Sequence, residues 1–157
     1  GVAHALVHVL LVSGVTAIRV YDVRIDAAHA LADSFRDNRI SVVDSAQEAV
    51  MGADGIVNAS PVGMVGFKIT HHADAVHDAV QAGTCMWVAD AVYSPPLTPL
   101  ASIAAKANKR LVTGDRLLLH QLVDAFELMN VGLHTSVGVV EAEWRRIQSA
   151  KTSKRIL

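Results

Sequence analysis

Short, nearly continuous apolar runs alternate with longer amphipathic stretches along most of the chain. Residues 2–13 (VAHALVHVLLVS) predict an apolar helix, with Gly14 as its C-cap. Residues 16–22 (TAIRVYD) are rich in β-branched and aromatic types and predict a strand. A second helix is expected over 27–36, capped by Asp26, with Ala28, Leu31, Ala32 and Phe35 on one face. Further strands are expected at 39–43, 54–58, 84–89 and 109–113, and further helices at 45–51, 72–82, 98–108, 115–130 and 136–150. Segments 59–70 and 90–97 hold too many Pro and Gly residues for a regular element. Strands without inside–outside alternation, separated by helices, predict an α/β fold: a doubly wound, Rossmann-like parallel sheet covered on both faces.

Composition narrows the class. Hydrophobic types make up 52% of 157 residues, charged types 18%, and the formal charge is −1. That balance suits an ordered soluble domain and argues against a disordered tail or a nucleic-acid binder. A single cysteine, Cys85, leaves no material for an intrachain disulfide framework or a cysteine-built zinc site. The apolar runs fall short of the roughly 18 residues that read as a membrane span. With no secretory pattern at the start, a cytoplasmic location is the default expectation. The basic stretch 145–155 reads as an exposed terminus rather than a binding patch.

The first candidate chemistry lies at the start. In open α/β folds, ligands sit at the carboxyl ends of the strands, and a glycine before a helix lets a pyrophosphate approach backbone N–H groups. Gly1, followed by Val2 and an apolar helix, fits the last glycine of such a loop. Asp22, at the end of the next predicted strand, stands twenty-one residues later. At that spacing an acid accepts hydrogen bonds from ribose hydroxyls and repels a 2′-phosphate. The spacing is equally compatible with a surface aspartate in a βα turn. If Gly1 is the loop glycine, the first strand of the sheet lies outside these residues.

Other segments carry more information because they recur in order. After the predicted strand at 54–58 comes Asn58-Ala59-Ser60-Pro61-Val62-Gly63-Met64; after 84–89 comes Asp90-Ala91-Val92-Tyr93-Ser94-Pro95, then Leu97-Thr98-Pro99-Leu100. A late helix opens on Gly114-Asp115-Arg116-Leu117-Leu118-Leu119-His120-Gln121, and Phe126-Glu127-Leu128 follows. Together with Gly1–Leu6, these segments resemble the C-terminal nucleotide-binding domain of the shikimate/quinate dehydrogenase family, which has N-A-[TS]-P-x-G-M, D-x-x-Y-x-P and G-x-x-M-L-x-x-Q at these places. Leu117 stands where the family has Met. The resemblance covers most of residues 1–132, while 133–157, a helix and basic tail, departs from the family pattern.

The resemblance implies an oxidoreductase that exchanges hydride between NAD(P) and a hydroxylated cyclohexane or cyclohexene carboxylate. Gly1 and Val2 would lie beneath the pyrophosphate, and Asn58, Ala59 and Ser60 would line the cofactor. Val92 would pack near the nicotinamide, a Gly114 carbonyl would hold the carboxamide, and Leu118 would pack on the ring. Tyr93 and Gln121 would hydrogen-bond the substrate, although Tyr93 also suits a core and Gln121 a helix surface. Asp22 stands where phosphate-preferring members usually have Asn, so NAD is expected over NADP; Arg24 could reach toward a phosphate and keeps NADP open. The family's Lys–Asp proton-transfer pair comes chiefly from an N-terminal substrate domain, and no residue here is assigned to it. That domain is the expected partner, besides the small-molecule substrate; homo-oligomerisation stays open.

The histidines carry little beyond this. His120 neighbours Gln121, but adjacent helical residues point about 100° apart. His4 and His8 have metal-ligand spacing without a third ligand, and no metal site is expected. Two other readings remain: a catalytically silent nucleotide-binding domain, and a Rossmann-like interaction module.

Overall fold

Among the described residues five short strands form, and every pairing between them is parallel. The computed structural model describes residues 1–67, 72–81, 83–130, 132 and 134–153. Two compact units result, Gly1–Gly114 and Asp115–Leu157. In the first, helix α1 (Val2–Val12) leads to strand β1 (Ile18–Val20), helix α2 (Ile25–Phe35) and strand β2 (Ile40–Val42). Helix α3 (Ala46–Val50), strand β3 (Gly55–Asn58), helix α4 (His72–Gln81), strand β4 (Trp87–Asp90), helix α5 (Pro99–Lys106) and strand β5 (Arg110–Val112) follow. Helix α6 (Gly114–Met129) starts on the last residue of this unit, and α6 and α7 (Val137–Ser153) are the helices of the second.

The strands divide into two sheets, β1–β2 and β3–β4–β5. β1 and β3 are not hydrogen-bonded to each other, so the division falls where the order 3-2-1-4-5-6 would put its first strand. β4 is central, pairing Asn58 with Asp90 on one side and Val88 with Leu111 on the other. This register aligns the carboxyl ends of β3 and β4.

The main core gathers Val50, Ile56, Ala75, Ala79, Val80, Cys85, Val88 and Ala104. Of these, each Val or Ile contributes about 1.5–3 kcal/mol relative to exposure, and the alanines less. Small residues bring backbones close here. A Cβ on Gly55 would fall 2.0 Å from the indole of Trp87, its partner across the β3–β4 ladder. Cys85 is buried, and its thiol donates to the Trp87 carbonyl at 3.2 Å; burial pushes its pKa up, so it is an inert core residue.

Helix ends explain most boundaries. Ser45 caps α3 by accepting from the Glu48 N–H, and Thr98 caps α5 ahead of Pro99. Gly14, at φ +83°, follows the end of α1, and its N–H donates to the Leu11 carbonyl. One cap differs from expectation. The N-cap of α2 is Arg24, and Asp26 lies within the first turn, where its charge still suits the helix dipole. Asp22 has drawn the Arg24 N–H into a local turn, which sets the helix start two residues earlier. The strands are also shorter than expected, three or four residues each, because only those positions find ladder partners.

Arg39 ties the end of α1 to β2. Its guanidinium pairs with both Asp37 oxygens, at 2.9 and 2.6 Å, and also donates to the Leu11 and Val15 carbonyls at 3.1 and 3.3 Å. Hydrogen bonds from Arg39 lower the Asp37 pKa from 3.8 to about 2. In the second unit, Arg145 pairs with Glu141 and Arg146 with Glu143 along α7. Those two arginines are therefore part of an ordinary paired helix surface.

Candidate functional site

Two loops leave the aligned ends of β3 and β4, and their side chains interlock. Asn58 closes β3. Its amide NH2 donates to Asp90 Oδ1 at 2.9 Å and to the Val62 carbonyl at 3.0 Å. Its carbonyl oxygen accepts from the Ser60 N–H at 3.1 Å and the Ser60 hydroxyl at 2.7 Å. The Ser60 oxygen in turn accepts from the Val62 N–H at 3.3 Å. Pro61 and Gly63, the latter at φ +94°, complete a tight loop. A Cβ on Gly63 would sit 3.2 Å from that of Thr98, so the glycine also gives this loop room beside the second one.

Asp90 closes β4 and is 3% exposed. Besides Asn58, it accepts from the Val92 N–H at 3.0 Å and from the Thr98 hydroxyl. Thr98 is 1% exposed and accepts from the Ala101 N–H at 3.0 Å. Val92 is buried, whereas Tyr93 is 44% exposed, with its side chain available at the surface. Gly114 meets this turn. A Cβ there would lie 2.4 Å from the Val92 carbonyl carbon and oxygen and 2.6 Å from the Ala91 oxygen. The position requires glycine for close backbone approach.

Thus Asn58, Ala59, Ser60, Val92, Tyr93 and Gly114 gather around one end of the β3–β4–β5 sheet. Gly1 and Asp22 belong to the β1–β2 half of the same unit. Gly1 is the N-cap of α1. Val2 is exposed beside it. Asp22 follows β1 and accepts from the Arg24 N–H at 2.8 Å, with the Arg24 Nε 3.7 Å away. Leu118 and Gln121 lie on α6 in the second unit, one helical turn apart; Gln121 is exposed and Leu118 half-buried. Lys68 and His71 lie outside the described residues.

Asp90 and Thr98 stand within the motif segments of the sequence, but sequence reasoning assigned neither of them a role. The Thr98-Pro99 helix start was a legible signal for the cap. The carboxylate joining it to Asn58 spans thirty-two residues and has no local signature. Among the described residues, no group of three or more His, Cys, Asp and Glu is arranged to hold a metal, and no helix is long and apolar enough to cross a membrane.

The parallel strands and the loops at their carboxyl ends define a Rossmann-like class of α/β fold. No protein-family model matches the chain. A quinate/shikimate dehydrogenase (NAD(+)) from Corynebacterium efficiens is 34% identical over 143 residues, which is 87% of this chain and 48% of that protein. A shikimate dehydrogenase (NADP(+)) from Haloarcula marismortui is 37% identical over 111 residues, 71% of this chain and 40% of that protein. The solved quinate dehydrogenase from Corynebacterium glutamicum in complex with NAD superposes with a TM-score of 0.76 at 30% identity, covering 93% of this chain and 52% of that one. The chain belongs to the shikimate/quinate dehydrogenase family. It spans about half the length of the relatives it matches.

Proposed function

We propose that the intact protein is a shikimate/quinate 5-dehydrogenase-type oxidoreductase, and that residues 1–132 form its nucleotide-binding domain. The observation that carries this reading is the assembly of the 58–64 loop, the 90–93 turn and Gly114 at the carboxyl end of a parallel sheet. The residues fit a dinucleotide. Gly1 and Val2 stand at the N-terminus of α1, and helix N-terminal N–H groups suit a pyrophosphate. Asp22 offers ribose hydroxyls an acceptor, and the small residues Ala59, Ser60 and Gly114 let a flat ring come near backbone. When bound, NAD(P) supplies the hydride-accepting or hydride-donating carbon.

In this reading the chain orients the cofactor. Asn58 and Asp90 hold the two loops apart at a set width, and buried Val92 gives the nicotinamide end an apolar wall. Tyr93 is free to hydrogen-bond a hydroxylated cyclohexane or cyclohexene carboxylate. Leu118 and Gln121 take their cofactor and substrate roles from the family resemblance alone. Proton transfer to the reacting oxygen falls to groups supplied by a substrate domain, equivalent to the half of the relatives that this chain does not span.

NAD is the preferred cofactor in this proposal. The Asp22 carboxylate already engages the Arg24 N–H, and a 2′-phosphate beside it would add a like charge. Calorimetry with NAD and NADP on the intact protein tests this. NAD is expected to bind more tightly, and Asp22→Asn is expected to narrow the preference by about ten-fold or more, because like charges a few ångström apart cost on the order of a few kcal/mol. Binding of neither nucleotide would overturn the cofactor reading. Tight NADP with weak NAD would overturn the role of Asp22. Turnover with shikimate and quinate then separates a dehydrogenase from a silent homologue.

A further inference from the structure

The buried carboxylate at the end of β4 has so far been given only the spacing of the two loops, together with Asn58. It can only accept hydrogen bonds when ionised, and it receives three: from the Asn58 amide, the Val92 N–H and the Thr98 hydroxyl. This fixes the direction of the whole network. The Asn58 NH2 must face Asp90, so its carbonyl must face Ser60. The Ser60 proton is then committed to Asn58, and its oxygen is left to accept from the Val62 N–H. On the other side, the Thr98 proton is committed to Asp90, which leaves a Thr98 lone pair for the Ala101 N–H and caps α5. One carboxylate thereby sets the amide orientation of Asn58, the path of the 58–62 loop, the position of the Val92 peptide and the start of α5.

We infer that Asp90 and Thr98 are positioning residues for the nicotinamide end of the cofactor, acting through Asn58 and the Val92–Tyr93 backbone. The inference rests on the cofactor reading above. It assigns the two residues no contact with substrate or cofactor. They act by keeping the two loops in one hydrogen-bonded arrangement before the ligand arrives, so that binding need not order them. Asp22 and Gly1 belong to the other half of the unit and are not part of this network. The adenosine end should therefore be indifferent to it.

That separation gives the test. Thr98→Val deletes the donor to Asp90, whereas Thr98→Ser keeps both donor and cap. Asp90→Asn keeps acceptors for Asn58 and Val92 but turns an NH2 toward Thr98. Each variant of the intact protein is titrated with NAD and with ADP-ribose, which lacks the nicotinamide, and its thermal midpoint is recorded. Thr98→Val and Asp90→Asn are expected to weaken NAD by about ten-fold or more, the scale of a lost hydrogen bond to a charged group. ADP-ribose affinity should stay within about two-fold under the same scale, and Thr98→Ser should behave as wild type. Should Asp90→Asn fail to fold, the Thr98 pair decides alone. Equal loss of NAD and ADP-ribose would reduce the network to general stability and overturn the inference. So would unchanged NAD binding in folded Thr98→Val. Wild-type protein that binds neither probe would refute the cofactor reading itself, an outcome distinct from the other two.

Discussion

Replacing Gly114 with alanine sets two calculable effects against each other. Alanine restricts the unfolded chain, a gain of about 0.4–1 kcal/mol; the full preference it has in helix interiors does not apply at 114, the first residue of α6. The opposing effect is steric. The new Cβ would stand 2.4 Å from the Val92 carbonyl carbon and oxygen, about 1 Å inside ordinary contact. These are backbone atoms, so no rotamer change relieves the overlap. Either the first turn of α6 or the Val92 peptide has to move, and the Val92 N–H is bonded to buried Asp90. Overpacking of this kind costs about 1–3 kcal/mol, and weakening that charge-assisted bond adds about 1 kcal/mol or more. The steric side wins, for a net loss of about 1–3 kcal/mol. At this chain length that is a fall in Tm of about 2–4 °C per kcal/mol. Calorimetric unfolding gives the global number, and hydrogen exchange at the Val92 amide reports the local displacement. A Tm at or above wild type, with the Val92 amide equally protected, would show that the close approach does not constrain the turn.

Gly55→Ala meets Trp87 instead of backbone, since its Cβ would fall 2.0 Å from the indole. The ring has to leave its place on β3, and a destabilisation of about 1–3 kcal/mol with a changed Trp fluorescence spectrum is expected; an unchanged spectrum would contradict it. The Asp37–Arg39 pair predicts a pH effect with a definite sign. Because the Asp37 pKa is lowered from 3.8 to about 2, its contribution is complete above the ordinary value and lost as pH falls through the lowered one. Wild type should therefore exceed Asp37→Asn in urea midpoint at pH 5, with the gap closing between 3.8 and about 2; a gap that persists unchanged to pH 2 would refute the assignment.

The α/β class was legible in the chain because it depends on local information. The apolar runs 54–58 and 84–89 supply Ile56, Cys85 and Val88 to the core, and Ser45 and Thr98-Pro99 are start signals that act within one helical turn. The expectation for Asp26 failed for an equally local reason. The Arg24 carbonyl already accepts from the Ala27 and Ala28 N–H groups while Asp22 holds the Arg24 N–H, so the helix begins ahead of Asp26.

The sequence by itself determined the order of strands and helices and the segments that resemble the family, since both are written in short contiguous stretches. Tertiary structure decided which of those segments meet. The register of β3 on β4 places Asn58 beside Asp90, and the turn after β4 brings Thr98 back to the same carboxylate. Those contacts depend on parallel pairing between residues far apart in the chain, and parallel pairing follows from how whole strands pack. The need for glycine at 114 likewise exists only once the Val92 peptide lies against it. Asp90, in the sequence the opening residue of a motif with no assigned role, becomes the hub of the site because folding removes it from water and leaves it three donors.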